Sequence, residues 1–374
     1  MMILDVFNKS YTRITNISTY SYCKYTEQLN NSGNFEIWMM YDSRAKQIFQ
    51  EGYFILFTKE VCGIITYKNP SIKEETGETE LILKGFLMNS ILDRRCIYIT
   101  EQYSGTPVEV VTSMLNTHAI SPIDTKRELP ITLNTPSPDP TSSSSVELQI
   151  TGEYLKGEIE SVLDTQEMGY RIKPTLSRTA LTGFTFNFIK GADRTIGNTA
   201  GNLPVFFSKE LKNVLESTYI ENINDYKNAA FVAGEGEGTA RTIVEAGETT
   251  SEGLDRFELY VDARDIQSDS TENPLTPQQY QKALNDRGEE KLLEHIKEKS
   301  YAATIDSVKA RFVYGVDYWL GDYVSVKDET LGISFSAQIT EVTFSSLGER
   351  EMVDVTFGRY KLSTAQKLKR NGVI

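Results

Sequence analysis

Two histidines, His118 and His295, and three cysteines, Cys23, Cys62 and Cys96, are the whole imidazole and thiol supply of this 374-residue sequence. A thiol nucleophile needs a histidine beside it and a helix N-terminus or cation to lower its pKa. All three cysteines lie in or beside strand-like stretches, and none opens a helix. They read as small buried hydrophobes made in a reducing compartment. Their odd number and the lack of a CxxC pair leave neither a disulfide framework nor a zinc site. His118 follows the end of a helical stretch, where a cation would complement the dipole. His295 sits in a charged helical stretch, and no HExxH pattern follows Glu294.

Gly234-Glu235-Gly236-Glu237-Gly238 is the only glycine-rich loop. A phosphate loop needs a Lys and a Ser or Thr, and two glutamates would repel phosphate. The loop reads as a hairpin between two strands. Paired carboxylates for glycoside hydrolysis are not excluded by composition, but Glu153 and Asp164 have only abundance to recommend them. Asp262, Asp265, Asp269 and Glu272 form the densest acidic patch, at spacings too irregular for a calcium loop, so it reads as solvated. No catalytic, cofactor-binding or metal residue is assigned, and no cofactor is expected.

These residues sit on a chain long enough for two to four domains. With 20 Tyr and 17 Phe the composition leans toward pleated, half-buried surfaces. The net charge of -13 and pI near 4.9 disfavour nucleic-acid binding, since duplex recognition needs a basic face. Arg94-Arg95 and the Lys367–Arg370 tail are too short to outweigh the acidic field, although an acidic surface would suit a conduit through which DNA slides. The first residues lack a basic region and a sustained apolar run, so no signal peptide is expected, and no apolar run is long enough for stable membrane insertion.

The elements follow from periodicity. Residues 1–100 read as a β domain: Phe35, Ile37, Met39 and Tyr41 alternate, and apolar runs are broken by Gly52, Gly63, Gly77 and Gly85. Residues 101–190 hold helices. Thr106-Pro107-Val108-Glu109 carries a capping box, and a second helix is expected from near Gly152. Between them, residues 121–145 are rich in Pro and Ser and read as an exposed loop, with a proline-motif ligand as the alternative. Residues 191–270 form a β-rich middle with alternating runs at Asn228–Ala233, Thr239–Ala246 and Arg256–Asp262. Residues 271–304 are helical after a second capping box at Thr276, with either a kink or two short helices joined expected at Gly288. Residues 305–360 are β again. There the apolar phase slips between Ile339 and Val342, predicting a β-bulge near Thr340-Glu341. Residues 361–374 form a polar tail.

One internal echo stands out. Glu51-Gly52-Tyr53-Phe54-Ile55-Leu56 leading to Gly63-Ile64-Ile65 is similar to Leu320-Gly321-Asp322-Tyr323-Val324 leading to Gly332-Ile333. Both read as a Gly-led strand, a turn and a Gly-Ile-led return strand. The fold class is therefore α+β and β-rich, with two small β-barrel domains joined by mixed α/β segments and discontinuous in sequence.

Gly191-Ala192-Asp193-Arg194-Thr195, Asp225-Tyr226-Lys227-Asn228 before Val232-Ala233-Gly234-Glu235-Gly236, and Arg256-Phe257-Glu258 before Val261-Asp262-Ala263-Arg264-Asp265 occur in that order. Asp317-Tyr318-Trp319-Leu320-Gly321-Asp322-Tyr323-Val324, Ile339-Thr340-Glu341-Val342 and Thr356-Phe357-Gly358 follow. Together they resemble the tail-hub proteins of siphophages and prophages, the N-terminal module of tail-tip proteins, similar in fold to the central baseplate hub of contractile tails. The resemblance implies a virion-tail homotrimer whose two barrel domains per subunit make a pseudo-sixfold ring, matching a sixfold tail tube to a threefold tip. It implies partners: a distal tail or tail tube protein, a tape measure protein, and receptor-binding or tail fibre proteins, with DNA passing through the lumen unbound. Gly321-Asp322 suits a tight turn, and Asp193-Arg194 suits a buried or interfacial pair. The larger relatives carry hydrolase or fibre domains downstream, and this chain stops soon after the second barrel, so no enzymatic role is expected. A cell-wall hydrolase and a saccharide-binding module remain as alternatives.

Overall fold

The computed structural model describes residues 3–41, 45–72, 79–211, 213–269, 274–305, 311–348 and 350–359. Glu272, Gly77 and the polar tail with Lys367–Arg370 lie outside them.

The first strands are β1 (Leu4–Phe7), β2 (Arg13–Ile17), β3 (Tyr22–Gln28), β4 (Asn34–Met40), β5 (Phe54–Leu56), β6 (Cys62–Ile72) and β7 (Thr79–Leu87). The last part of the chain supplies β8 (Phe206–Ser208), β9 (Val214–Asn222), β10 (Glu298–Ile305), β11 (Tyr323–Asp328), β12 (Ile333–Leu347) and β13 (Arg350–Arg359). All of them join one 14-stranded sheet, with the path β9-β10-β13-β12-β3-β4-β7-β6-β5-β1-β2. β11 and β8 branch off β12. Thus the first and last parts of the chain share a sheet through β3 and β12, paired from Tyr22 opposite Leu347 to Gln28 opposite Glu341.

Each part has its own core. Phe35, Ile37, Ile55, Ile65 and Leu83 pack on one side of the first set of strands, and Tyr301, Ala303, Val324, Ile339 and Val355 on one side of the second. Alternation puts them there, because successive side chains of a strand point to opposite faces. The strand order repeats as well. The first set runs β3-β4-β7-β6-β5 with β1 beside β5; the second runs β9-β10-β13-β12-β11 with β8 beside β11. One detail differs: β1 is antiparallel to β5, whereas β8 is parallel to β11.

The echo found in the sequence sits at matching places in this repeat. Gly52 and Gly321 both have positive φ, 80° and 93°, which glycine adopts without steric cost. The N–H of Gly52 bonds the Ile65 carbonyl, and that of Gly321 bonds the Ile339 carbonyl, each at 2.8 Å. Both return strands then bulge at a threonine, between Ile65 and Tyr67 and between Ile339 and Glu341. The bulge predicted near Thr340 is present, and its counterpart at Thr66 was not foreseen. Among the described residues neither set closes into a barrel; each is an open sheet, and the two are fused edge to edge.

Between the sets lies a helical segment with its own core. Helix α1 (Pro107–Leu115) opens with the expected capping box, Thr106 accepting from the Glu109 N–H and Glu109 from the Thr106 N–H. Helix α2 (Leu155–Asp164) starts three residues after Gly152. The Pro/Ser stretch is less loop-like than expected. Ile131–Asn134 forms a strand parallel to Phe184–Asn187, because β-branched Ile131 and Thr132 meet an open sheet edge there. Thr141 is buried and donates to Asp139, which also accepts from the Thr106 hydroxyl at the N-terminus of α1.

A second unit is inserted between β9 and β10. Ala229–Ala233 pairs antiparallel with Ile243–Gly247 and parallel with Glu258–Asp262. Helix α3 (Pro277–Leu293) covers this sheet, starting at the capping box on Thr276. The helix runs through Gly288 without a break, so the two short helices that were the other expectation are not formed. A Cβ there would stand 2.6 Å from the Ala246 Cβ and 2.7 Å from a Val232 methyl, so the glycine serves close helix-on-sheet packing.

Candidate functional site

The structure scatters the sequence-predicted chemistry. The Gly234–Gly238 loop is a hairpin connection, with Glu235 accepting from the Ser268 N–H. Asp262 is held by Arg241 and Arg264 and has its pKa lowered to about 2, chiefly by the hydrogen bond from Arg264. Asp265 pairs with Arg287 instead, and Asp269 is exposed. Glu153 is exposed on a two-residue strand, while Asp164 accepts from Asn30 at the end of α2. His295 meets the Asp225 carbonyl at 3.1 Å. Cys23 and Cys62 are buried and their thiols pushed up by burial, Cys23 to about 12. Cys96 is exposed, contrary to expectation, because its strand is only two residues long at the rim of the helical segment.

His118 also departs from its expected role. It lies in a π-helical turn that extends α1, 1% exposed, with Nε2 3.0 Å from the Tyr103 hydroxyl and 3.2 Å from Glu101. Burial lowers its pKa, against the pull of Glu101, so the ring is held neutral at physiological pH rather than serving as a cation at the helix end. Among the described residues no three His, Cys, Asp or Glu side chains are grouped to hold a metal ion. No described helix is long and apolar enough to cross a membrane.

The structure gathers polar side chains at the joints between units. The motif around Gly191 meets the motif around Gly321. Asp322, 4% exposed, accepts from the Ala192 N–H at 2.8 Å, Arg194 Nε at 2.7 Å and the Trp319 N–H at 3.0 Å. The Arg194 guanidinium lies 4.9 Å from the Trp319 ring centroid, within cation–π range. The pairing expected of Asp193 and Arg194 is thus corrected: Arg194 reaches Asp322, and Asp193 caps the Thr195 N–H. Gly191 is required at this crossing, since a Cβ would fall 1.6 Å from the Gly321 carbonyl oxygen.

A second joint ties all three parts together. Arg171, from the helical segment, lies 2.6 Å from Glu27 on β3 and also reaches Glu60 and the Tyr314 hydroxyl. Burial raises the Glu27 pKa, and Arg171 opposes that shift. A third joint docks the inserted unit. The Glu147 N–H donates to Asp286 of α3, Arg287 donates to the Gln149 carbonyl, and Lys282 to the Ser145 carbonyl. Beside it Glu158 of α2 is pushed up to about 8, by burial first and then by Glu290, with Arg287 and Lys291 opposing. Glu27, Glu158 and Arg171 were missed in the sequence because nothing in a strand or helix pattern distinguishes a charge facing another unit from one facing water.

The geometry is that of an assembly of units held by ion pairs and fused sheets. A family model described as Siphovirus ReqiPepy6 Gp37-like protein matches residues 3–359. No curated protein matches the sequence. Similar solved structures include the 43 kDa tail protein of prophage MuSo2 from Shewanella oneidensis, with TM-score 0.55 and 12% identity over 96% of this chain and 98% of that one. The tail protein from Neisseria meningitidis MC58 has TM-score 0.56 and 12% identity over 96% and 97%. Prophage tail protein gp18 from Listeria monocytogenes EGD-e has TM-score 0.54 and 13% identity over the whole of both chains. At these identities the likeness is one of fold.

Proposed function

This chain belongs to the Siphovirus ReqiPepy6 Gp37-like protein family, a phage tail protein family, and from that premise we propose that it is the trimeric hub of a tail tip. Each subunit would contribute two equivalent sheet units, β1 to β7 and the discontinuous set β8 to β13, so that three subunits make a pseudo-sixfold ring. Such a ring adapts a sixfold tube to a threefold tip. It would contact a distal tail or tail tube protein on one side and receptor-binding or fibre proteins on the other. The tape measure protein and then DNA would occupy its lumen. The role is structural, with no catalytic step.

The observation that carries this reading is the duplicated strand order, with the same positive-φ glycine and the same threonine bulge in both sets. Two like units in one chain let a threefold assembly present six similar surfaces. Mass photometry with negative-stain imaging of the purified protein tests it. Particles of three copies with a central opening are expected, and a monomer at every concentration overturns the reading.

A further inference from the structure

The duplication also defines a strand edge that one copy leaves open. In the second set, β12 is used twice: Ile333–Gln338 pairs with β11, and the stretch after the Thr340 bulge pairs with β3 of the first set. In the first set, β6 is built alike. Cys62–Ile64 pairs with β5, and the stretch after the Thr66 bulge, Tyr67–Ile72, has β7 on one side and no strand on the other among the described residues. The counterpart of β3 is β9, which among the described residues ends the sheet with only β10 beside it. We propose that β9 of one copy pairs antiparallel with Tyr67–Ile72 of the next, repeating between chains the β3–β12 joint within each chain. This rests on the ring reading above and names its subunit contact.

The register follows from the pairings. Ile65 faces Gly85, which faces Phe35, which faces Tyr25; Ile339 faces Phe357, which faces Tyr301, which faces Tyr219. Tyr219 is therefore the counterpart of Tyr25. Within the chain Tyr25 lies opposite Phe344, their rings stacked at 4.8 Å. Counting from the bulge, the counterpart of Phe344 is Pro70. Tyr219 then falls opposite Pro70, Ile220 opposite Asn69 and Thr218 opposite Ser71. Lys68, whose Nζ donates to the Phe49 carbonyl, falls opposite Glu221.

Pro70 checks the geometry independently. The Leu29 N–H bonds the Thr340 carbonyl, so residues 340, 342 and 344 direct their backbone groups toward β3. By the same parity Pro70 directs its nitrogen to the open edge, away from β7, which is the side where a sheet tolerates proline. The proposed joint lacks the one bond Pro70 cannot donate and keeps the neighbouring rungs. Ile220 is 44% exposed and Ile72 68% exposed in the single chain, and the joint would cover both.

Cysteine pairs test it on the full chain with Cys96 replaced by Ser. Asn69→Cys with Ile220→Cys forms a directly opposed, non-hydrogen-bonded pair, within the Cα separation a disulfide needs. Mild oxidation is expected to convert most chains to covalent dimers and trimers that reductant reverses. Ser71→Cys with Thr218→Cys is expected to do the same, guarding against misfolding of the first pair. Asn69→Cys with Glu216→Cys, four residues out of register, is expected not to link. A trimer in solution with neither opposed pair linking overturns the joint and leaves the ring reading standing. Linking only in the displaced pair overturns the register. A monomer at every concentration overturns both.

Discussion

Replacing Asp322 by Ala removes one acceptor from three donors at the crossing of the Gly191 and Gly321 motifs. The Ala192 and Trp319 N–H groups, at 2.8 and 3.0 Å, lose their partner at a site that is 4% exposed. Each orphaned donor costs about 1 kcal/mol or more when water cannot replace the acceptor. The Arg194 side chain, 17% exposed, loses its counter-ion, at roughly 1.5–3 kcal/mol for a charged hydrogen bond. The expected loss is about 3–5 kcal/mol, in the range for breaking a buried pair from one side. Trp319 reports it directly, since its ring lies under the guanidinium. Urea titration of Trp319 fluorescence, with Trp38 replaced by Phe, gives the midpoint and slope. Adding Arg194→Met to Asp322→Ala is expected to recover part of the loss, because the stranded charge is gone. A loss below about 1 kcal/mol for Asp322→Ala, or no recovery in the double variant, refutes the account.

Glu158→Gln is expected to stabilise the protein at pH 8 by about 1–2 kcal/mol and to do little at pH 5, read as Tm at the two pH values. The folded state raises this pKa to about 8, so it holds the proton more tightly than the unfolded chain, and the stability this provides is lost as pH rises toward 8. Equal Tm changes at both pH values would contradict it. Gly288→Ala should destabilise the inserted unit by roughly 1–3 kcal/mol despite the better helix propensity of Ala, because its Cβ would meet Ala246 and Val232. Hydrogen exchange should quicken in residues 229–247 and not in β3 or β4. A thiol reagent should label Cys96 quickly in the native protein and reach Cys23 and Cys62 only on unfolding; rapid labelling of all three would contradict the burial found here.

Much of the local structure was legible because local rules decide it. Both capping boxes are set by side chains three residues apart, and the Thr340 bulge is forced by an apolar phase slip within one strand. The hairpin echo was visible because Gly52 and Gly321 both need a left-handed backbone. What stayed hidden depends on partners distant in sequence. The counterpart bulge at Thr66 leaves no phase slip, since from Tyr67 to Ile72 no side chain is fully buried and most are polar. The Arg194–Asp322 pair joins positions 128 residues apart, so neighbouring Asp193 looked the natural partner. The fusion of β3 to β12 had no local signal, because a strand that continues a sheet reads the same as one that ends it. Gly288 illustrates the converse: its flexibility was legible, and its use for close packing appears only once the sheet beneath it is known.

The unit between β9 and β10 sits at the tip of an antiparallel hairpin. The corresponding turn between β3 and β4 spans only Leu29 to Gly33, so one hairpin tip of the repeat is short while its counterpart carries a folded module. Growth at a hairpin tip leaves the ladder below it intact, and closing a longer loop costs little more than closing a short one. The same tip is therefore a natural place for an engineer to exchange one module for another without touching the sheet.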